Sequence, residues 1–198
     1  MFKLGITGGI GSGKSTATKY FLNKGAFIFD ADVESKKYLL SNIELQKRII
    51  DKFGSKITSN SKLDLLKLSK CIFSNKTLQE NLNQILWPEI FKLITISYDK
   101  ANKNNYDYFI VDAALLIEAN FIDFFDSTLL ITAYKKIRLN RLKNRNDIPF
   151  DQIEKRMDMQ MPEKEKEKFV TDIISNNDSI EKFYIKLENY WLKLNQKL

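Results

Sequence analysis

Apolar residues in this chain fall into short unbroken runs, separated by longer stretches where they recur every three or four positions. The runs Leu4–Thr7, Ala26–Asp30, Tyr108–Asp112, Thr128–Thr132 and Asp172–Ser175 have strand length, and their apolar character suits strands buried on both faces. Helical spacing marks Ser15–Leu22, Leu65–Phe73, Thr77–Leu86, Glu89–Ala101, Lys135–Lys143, Phe150–Met159 and Ile180–Leu194. The last of these carries Phe183, Leu187, Tyr190, Trp191 and Leu194 at helical spacing and is predicted to pack on the sheet. Strands alternating with helices predict an α/β fold, a five-stranded parallel sheet covered on both faces. The interval between the second and third strands is too long for one crossover helix, so residues 33–105 read as a helical insertion beside the strand ends. Polar breaks fall at Ser59-Asn60-Ser61 and at Lys100 to Asn105. The predicted organisation is one domain over 1–198, with a core of 1–32 and 106–198. Glu163 to Lys168 alternates acid and base, placing opposite charges at i,i+3 and like charges at i,i+4; this predicts a solvated segment.

Between the first strand and the first helix stand Gly8-Gly9-Ile10-Gly11-Ser12-Gly13-Lys14-Ser15-Thr16, which fit G-x-x-x-x-G-K-[ST] from Gly8 to Ser15. Glycines let the backbone wrap an anion closely, so that its N–H groups face phosphate oxygens, and the helix start adds a favourable field. Lys14 suits the β- and γ-phosphates, and the Ser15 hydroxyl suits Mg²⁺. A glycine-rich turn without an anion has no use for Lys14, so the reading is a nucleoside triphosphate site.

Composition narrows the chemistry. The chain has no histidine, which excludes histidine general bases, Ser-His-Asp triads and histidine metal ligands, and leaves proton abstraction to a carboxylate. A single cysteine, Cys71, excludes an intrachain disulfide and fits a reducing cytoplasm; its apolar neighbours place it in a core. Net charge is +7, which favours anionic ligands, but the basic residues are scattered and no aromatic-basic module points to nucleic acid. No apolar stretch is long enough to span a bilayer, and a phosphate loop starting at Gly8 leaves no room for a cleavable leader.

Three further constellations bear on a phosphate site. Asp30-Ala31-Asp32 follows the second strand, where a carboxylate either accepts a hydroxyl proton or caps the following helix. Phe109-Ile110-Val111-Asp112 has the form of a strand ending in an acid that helps hold Mg²⁺, directly or through water. Glu118 is either a second polar member of that site or an ordinary helix acid. Arg138, Arg141 and Arg145 share one helix face, either a lid over transferring phosphates or a solvated basic face; Arg156 and Gln160 admit the same two readings.

Together these elements resemble the dephospho-CoA kinase family, which is similar in fold to nucleoside monophosphate kinases. The family's T-G-G-I-G-S-G-K-S-T stands unchanged at Thr7 to Thr16, its D-A-D at Asp30 to Asp32 and its F-G at Phe53-Gly54. L-D is Leu63-Asp64, L-N-x-I-x-x-P is Leu82, Asn83, Ile85 and Pro88, and P-L-L-F-E is met by Ala114 to Glu118. R-L-x-x-R is Arg141-Leu142 with Arg145, and R-x-x-x-Q then D-x-I-x-N are Arg156, Gln160, Asp172, Ile174 and Asn176. The resemblance covers essentially the whole chain in the family's order. It implies a three-layer P-loop kinase fold, with the insertion receiving the acceptor and a small lid at about 135–168. It implies transfer of the ATP γ-phosphoryl group to the ribose 3′-hydroxyl of dephospho-CoA, the last step of coenzyme A synthesis. By the same resemblance Gly11, Ser12, Gly13, Lys14, Ser15 and Thr16 hold ATP, Ser15 and Asp112 serve Mg²⁺, and Asp32 is the base. Arg141 and Arg145 would act from the lid. The implied partners are ATP and dephospho-CoA, without nucleic acid or membrane, for a cytoplasmic monomer or weak homo-oligomer.

The chain departs from the family at Leu65, where arginine is usual, and at Trp87, where histidine is usual; Ala114 replaces proline, and Arg138 stands where glutamine is often found. The first two lie in the acceptor half. They keep open a kinase for another nucleotide or nucleoside; a catalytically weak ATP-binding relative acting through a partner is the alternative of a different class.

Overall fold

The computed structural model describes residues 1–72, 75–143, 153–154 and 157–196. It divides into two compact units, Met1–Asp30 with Ile96–Leu198, and Ala31–Thr95.

In the first unit a five-stranded sheet has the order β2-β5-β1-β6-β7, every pairing parallel. Its strands are β1 (Phe2–Thr7), β2 (Phe27–Asp30), β5 (Tyr108–Asp112), β6 (Ser127–Thr132) and β7 (Asp172–Ser175). The register pairs Ile6 and Asp30 with Asp112, and Thr7 with Leu130, so the carboxyl ends of the strands come level. The chain leaves β1 toward β2 on one side and later fills β6 and β7 on the other, which makes the end of β1 a topological switch point where such sheets bind ligands. Alternate residues of the central strands, Leu4, Ile6, Ile110, Leu129 and Ile131, meet Phe21 of α1 (Lys14–Asn23) and Phe183, Leu187 and Trp191 of the C-terminal helix. Phe21 and Phe183 are 0% and 1% exposed, and each contributes roughly 2–3 kcal/mol by burial. Tyr190 and Leu194 complete the stripe predicted for that helix, which spans Ile180–Asn195 and is capped by the Ser179 hydroxyl accepting from the Lys182 amide.

The second unit has its own core of Leu39, Leu45, Ile49, Phe53, Ile57, Leu68, Ile72 and Leu82, with Leu65 and Cys71 packed partly buried against it. It contains α2 (Ala31–Ser41), α3 (Ile43–Phe53) and α4 (Leu65–Ile72). The expected polar break at 59–61 is the tip of a small hairpin, β3 (Thr58–Ser59) with β4 (Lys62–Leu63). Asn60 and Ser61 there have φ of 50° and 59°, the left-handed pair that a two-residue turn needs.

Two expectations change. Thr77–Leu86 and Glu89–Ala101 are not separate helices but parts of α5 (Lys76–Lys103), which runs through Pro88. Proline removes one backbone bond, yet Leu82, Ile85 and Leu86 before it and the fully buried Ile94 after it supply packing that outweighs the loss. The helix therefore continues into the expected break at 100–105, and the turn closes at Asn105, φ 56°. The two compact units part inside α5, at Thr95/Ile96. Of the helix expected at Phe150–Met159, residues 153–154 and 157–158 are helical and Met159 is in a turn; residues 150–152 and 155–156, and Phe73 at the expected end of α4, lie outside the described residues.

Candidate active site

The loop between β1 and α1 forms a cleft of about 480 Å³, lined by Gly9 to Thr16 with Arg141, Leu142, Asn176 and Ile180. Gly13 is the N-cap of α1 with φ 108°, a conformation that side chains rarely adopt, and a Cβ there would lie 2.2 Å from Asn176 Nδ2. The helix start has no side-chain cap and no acid in its first turn. An α-helix leaves its first N–H groups without partners, so this start offers donors and the positive end of the dipole to an anion. Ser15 stands exposed in that first turn and Thr16 half-buried beside it.

Two side chains hold the loop from behind. Asn176, 5% exposed at the end of β7, donates from Nδ2 to Ser12 O (2.8 Å). Arg141 of α6 (Lys135–Lys143) donates from Nη2 to Asn176 O (3.0 Å) and Oδ1 (3.1 Å), and from Nη1 to Gly11 O and Ser12 O, both at 3.4 Å. A trans peptide sets C=O and the following N–H on opposite sides, so fixing the Ser12 carbonyl turns the Gly13 N–H the other way. At the loop's other limb, Ile10 N donates to Gln160 Oε1 (3.0 Å), and the Arg138 guanidinium lies against Gly9.

Lys14 Nζ is 3.9 Å from Asp112 Oδ1, and Asp112 is 5% exposed at the end of β5. A buried carboxylate beside a lysine and an exposed helical hydroxyl is a donor set that suits Mg²⁺, which takes one or two protein ligands and completes its shell with phosphate oxygens and water. No cluster of three or more acidic, cysteine or histidine ligands occurs among the described residues, so no all-protein metal cage competes with that arrangement.

Behind Asp112 a buried cation ties the sheet edge together. Lys166 is 0% exposed and donates to Ala114 O (2.7 Å), with Glu118 Oε1 at 3.0 Å. Thr7 Oγ1 shares Ala114 O (3.3 Å), and Glu118 also accepts from Met161 N (3.0 Å). Burial pushes the Lys166 ammonium below the ordinary lysine range, against the pull of Glu118. The solvated reading of Glu163 to Lys168 holds for Lys164, Glu165, Glu167 and Lys168, which are exposed, but not for Lys166, which ends the one helical turn Glu163–Lys166 and lies in the interior. Glu118 lies in the turn at 114–120, not in a helix.

Thus the structure brings Gly11 to Ser15, Asp112 and Arg141 into one region, sets Gln160, which the sequence left between a lid and a solvated face, on the Ile10 amide, and adds Asn176, to which sequence reasoning gave no role of its own. Their signal was the spacing R-x-x-x-Q and D-x-I-x-N; for Lys166, a regular acid-base alternation hid the signal. Neither Arg138 nor Arg141 lies on a solvated face: the Arg138 side chain is 12% exposed and Arg141 is half-buried. Asp32 is exposed in the first turn of α2, in the second unit. Arg145 and Arg156 lie outside the described residues.

A glycine loop at the switch point of a parallel sheet, with an uncapped helix start and a lysine facing a strand-end carboxylate, defines a phosphate-loop nucleotide-binding protein. The family model for dephospho-CoA kinase matches residues 2–182. A dephospho-CoA kinase of Fusobacterium nucleatum is 34% identical over 188 residues, 94% of this chain and 95% of its own length. Among solved structures, TT1252 from Thermus thermophilus superposes with TM-score 0.79 at 26% identity, covering 98% of this chain and 97% of that one. Dephospho-CoA kinase from Campylobacter jejuni superposes with TM-score 0.67 at 25% identity, covering 98% of each chain. The chain belongs to the dephospho-CoA kinase family.

Proposed function

We propose that this chain transfers the γ-phosphoryl group of ATP to the ribose 3′-hydroxyl of dephospho-CoA, giving coenzyme A and ADP. The observation that carries the reading is the uncapped start of α1 behind an intact phosphate loop, in a chain matched to the family over 2–182. Gly11, Ser12, Gly13, Lys14, Ser15 and Thr16 bind the triphosphate. The 3′-oxygen attacks the γ-phosphorus, its proton passes to the Asp32 carboxylate, and the β,γ-bridging bond breaks with its electron pair leaving on ADP. Lys14 neutralises charge on the β- and γ-phosphates throughout. Arg141 holds the loop carbonyls while Arg145 acts from the lid formed within 135–168. Ser15 and Asp112 would hold a Mg²⁺ ion, which screens the phosphate charge when bound. Helices of 33–105 receive the acceptor. The enzyme works in the cytoplasm as a monomer or weak homo-oligomer on small molecules, without nucleic acid or membrane.

The test is ADP release measured across dephospho-CoA, adenosine, AMP and shikimate, with and without Mg²⁺. The proposal expects Mg²⁺-dependent release with dephospho-CoA far above the others. Preference for AMP or adenosine would instead support an acceptor side altered at Leu65 and Trp87.

A further inference from the structure

Arg138 packs against Gly9 of the phosphate loop. Its Nη1 lies 1.7 Å from where a Cβ on Gly9 would stand, so only glycine leaves the guanidinium room in this position. Gly9 is the second residue of the loop motif, and its carbonyl closes the turn by accepting from Ser12 N (3.0 Å). Among the described residues the guanidinium makes one hydrogen bond, Nη1 to Glu163 Oε1 at 2.8 Å, while its Nε is buried without a partner. Five donors in a planar fork are thus served by a single carboxylate oxygen, and a buried donor left unmade is costly. The Glu163 carboxyl is itself pushed above the usual carboxylate range by burial, against the pull of Arg138. A partly desolvated acid is a weak competitor for a guanidinium when a phosphate, with more charge and more acceptor oxygens, arrives beside it.

We propose that Arg138 is a further phosphate-binding residue, paired with Glu163 beside Gly9 and passing from that carboxylate to the γ-phosphate of a triphosphate seated on the loop. The group it recognises is the γ-phosphoryl, which ATP carries and ADP lacks. This inference rests on the nucleotide half of the proposed function and not on the identity of the acceptor.

Calorimetric titration of the full-length protein with ADP and with the β,γ-imido analogue of ATP, both in Mg²⁺ buffer, separates the two halves. Arg138→Gln is expected to weaken the analogue about ten- to a hundredfold while ADP stays within about threefold, because only the analogue carries the extra phosphate. Arg138→Lys should retain part of the analogue's advantage, since an ammonium keeps the charge but not the fork. Glu163→Gln removes the competitor and should leave analogue binding unchanged or tighter. Equal weakening of both nucleotides in Arg138→Gln, or weakening of neither, overturns the inference. Loss of analogue binding in Glu163→Gln also overturns it, because the ion pair would then be a structural latch. That variant decides the matter if Arg138→Gln does not fold. If the parent binds neither nucleotide, the nucleotide reading falls and takes this inference with it. If the parent binds both but phosphorylates no acceptor, the arginine inference stands while the acceptor proposal fails.

Discussion

Lys14 is proposed to meet the phosphates before and during transfer and Asp32 only the acceptor hydroxyl, so their substitutions should separate. Lys14→Ala is expected to weaken ATP binding and turnover together. Asp32→Asn should keep ATP affinity and lose more than about tenfold in kcat, at least ~1.4 kcal/mol of transition-state stabilisation. Nucleotide titration beside steady-state kinetics checks both, and an Asp32→Asn enzyme with near-parental kcat contradicts the general base. Leu65 poses the converse question. It begins α4 and packs partly buried on the second core, and it has no donor to offer an acceptor phosphate. A charge-assisted bond is worth on the order of 1.5–3 kcal/mol, so Leu65→Arg should lower KM for dephospho-CoA severalfold with kcat kept. The arginine stem can cover the apolar surface that leucine leaves, which makes the fold's survival a fair expectation. An unchanged or higher KM means that the acceptor is held elsewhere.

At the scale of elements, the turn at 163–166 was the least legible part of the sequence and now bears two predictions. Lys166→Met leaves Glu118, whose side chain is 17% exposed, without its cation; breaking a buried pair in this way costs on the order of 3–5 kcal/mol. Pairing it with Glu118→Leu should recover most of that stability in urea unfolding, and a double variant as unstable as the single one contradicts the pairing. The Glu163 carboxyl gives a pH signature. Because burial raises its folded value, the native state binds more protons than the unfolded state between the ordinary glutamate range and that raised value. Stability contributed by this group therefore falls as pH rises through that window, and is not altered below it. The neutral variant Glu163→Gln should gain on the parent as pH rises from about 4 toward neutrality, the ordinary value lying near 4.3. Urea midpoints for both proteins across that range check the sign; a flat or reversed difference contradicts it. The strands were readable because unbroken apolar runs have few other uses, and the Phe183–Leu194 stripe lies on the core as its spacing foretold. Pro88 misled because local propensity predicts a break, while packing on both sides of it is a tertiary fact. Lys166 was hidden for the opposite reason: charge alternation speaks for solvent, and only the fold supplies Ala114 O and Glu118. The loop itself was legible from type and spacing, but the clasp of Arg141 and Asn176 on its carbonyls joins residues far apart in sequence.

For the whole molecule, the family match spans nearly all of the chain, and no described helix is long and apolar enough to cross a membrane. A net charge of +7 suits two polyphosphorylated substrates. The phosphate loop from Thr7 to Thr16 matches the family's motif, and the departures at Leu65 and Trp87 fall in 33–105, so the acceptor is where the central claim is most exposed. The direct measurement is phosphoryl transfer from ATP to dephospho-CoA, followed by phosphorus NMR of the product. The account predicts Mg²⁺-dependent formation of ADP and of a new 3′-phosphomonoester on the ribose, abolished by Lys14→Ala. Turnover that prefers AMP, adenosine or shikimate, or a phosphate placed anywhere other than the 3′-oxygen, would contradict it.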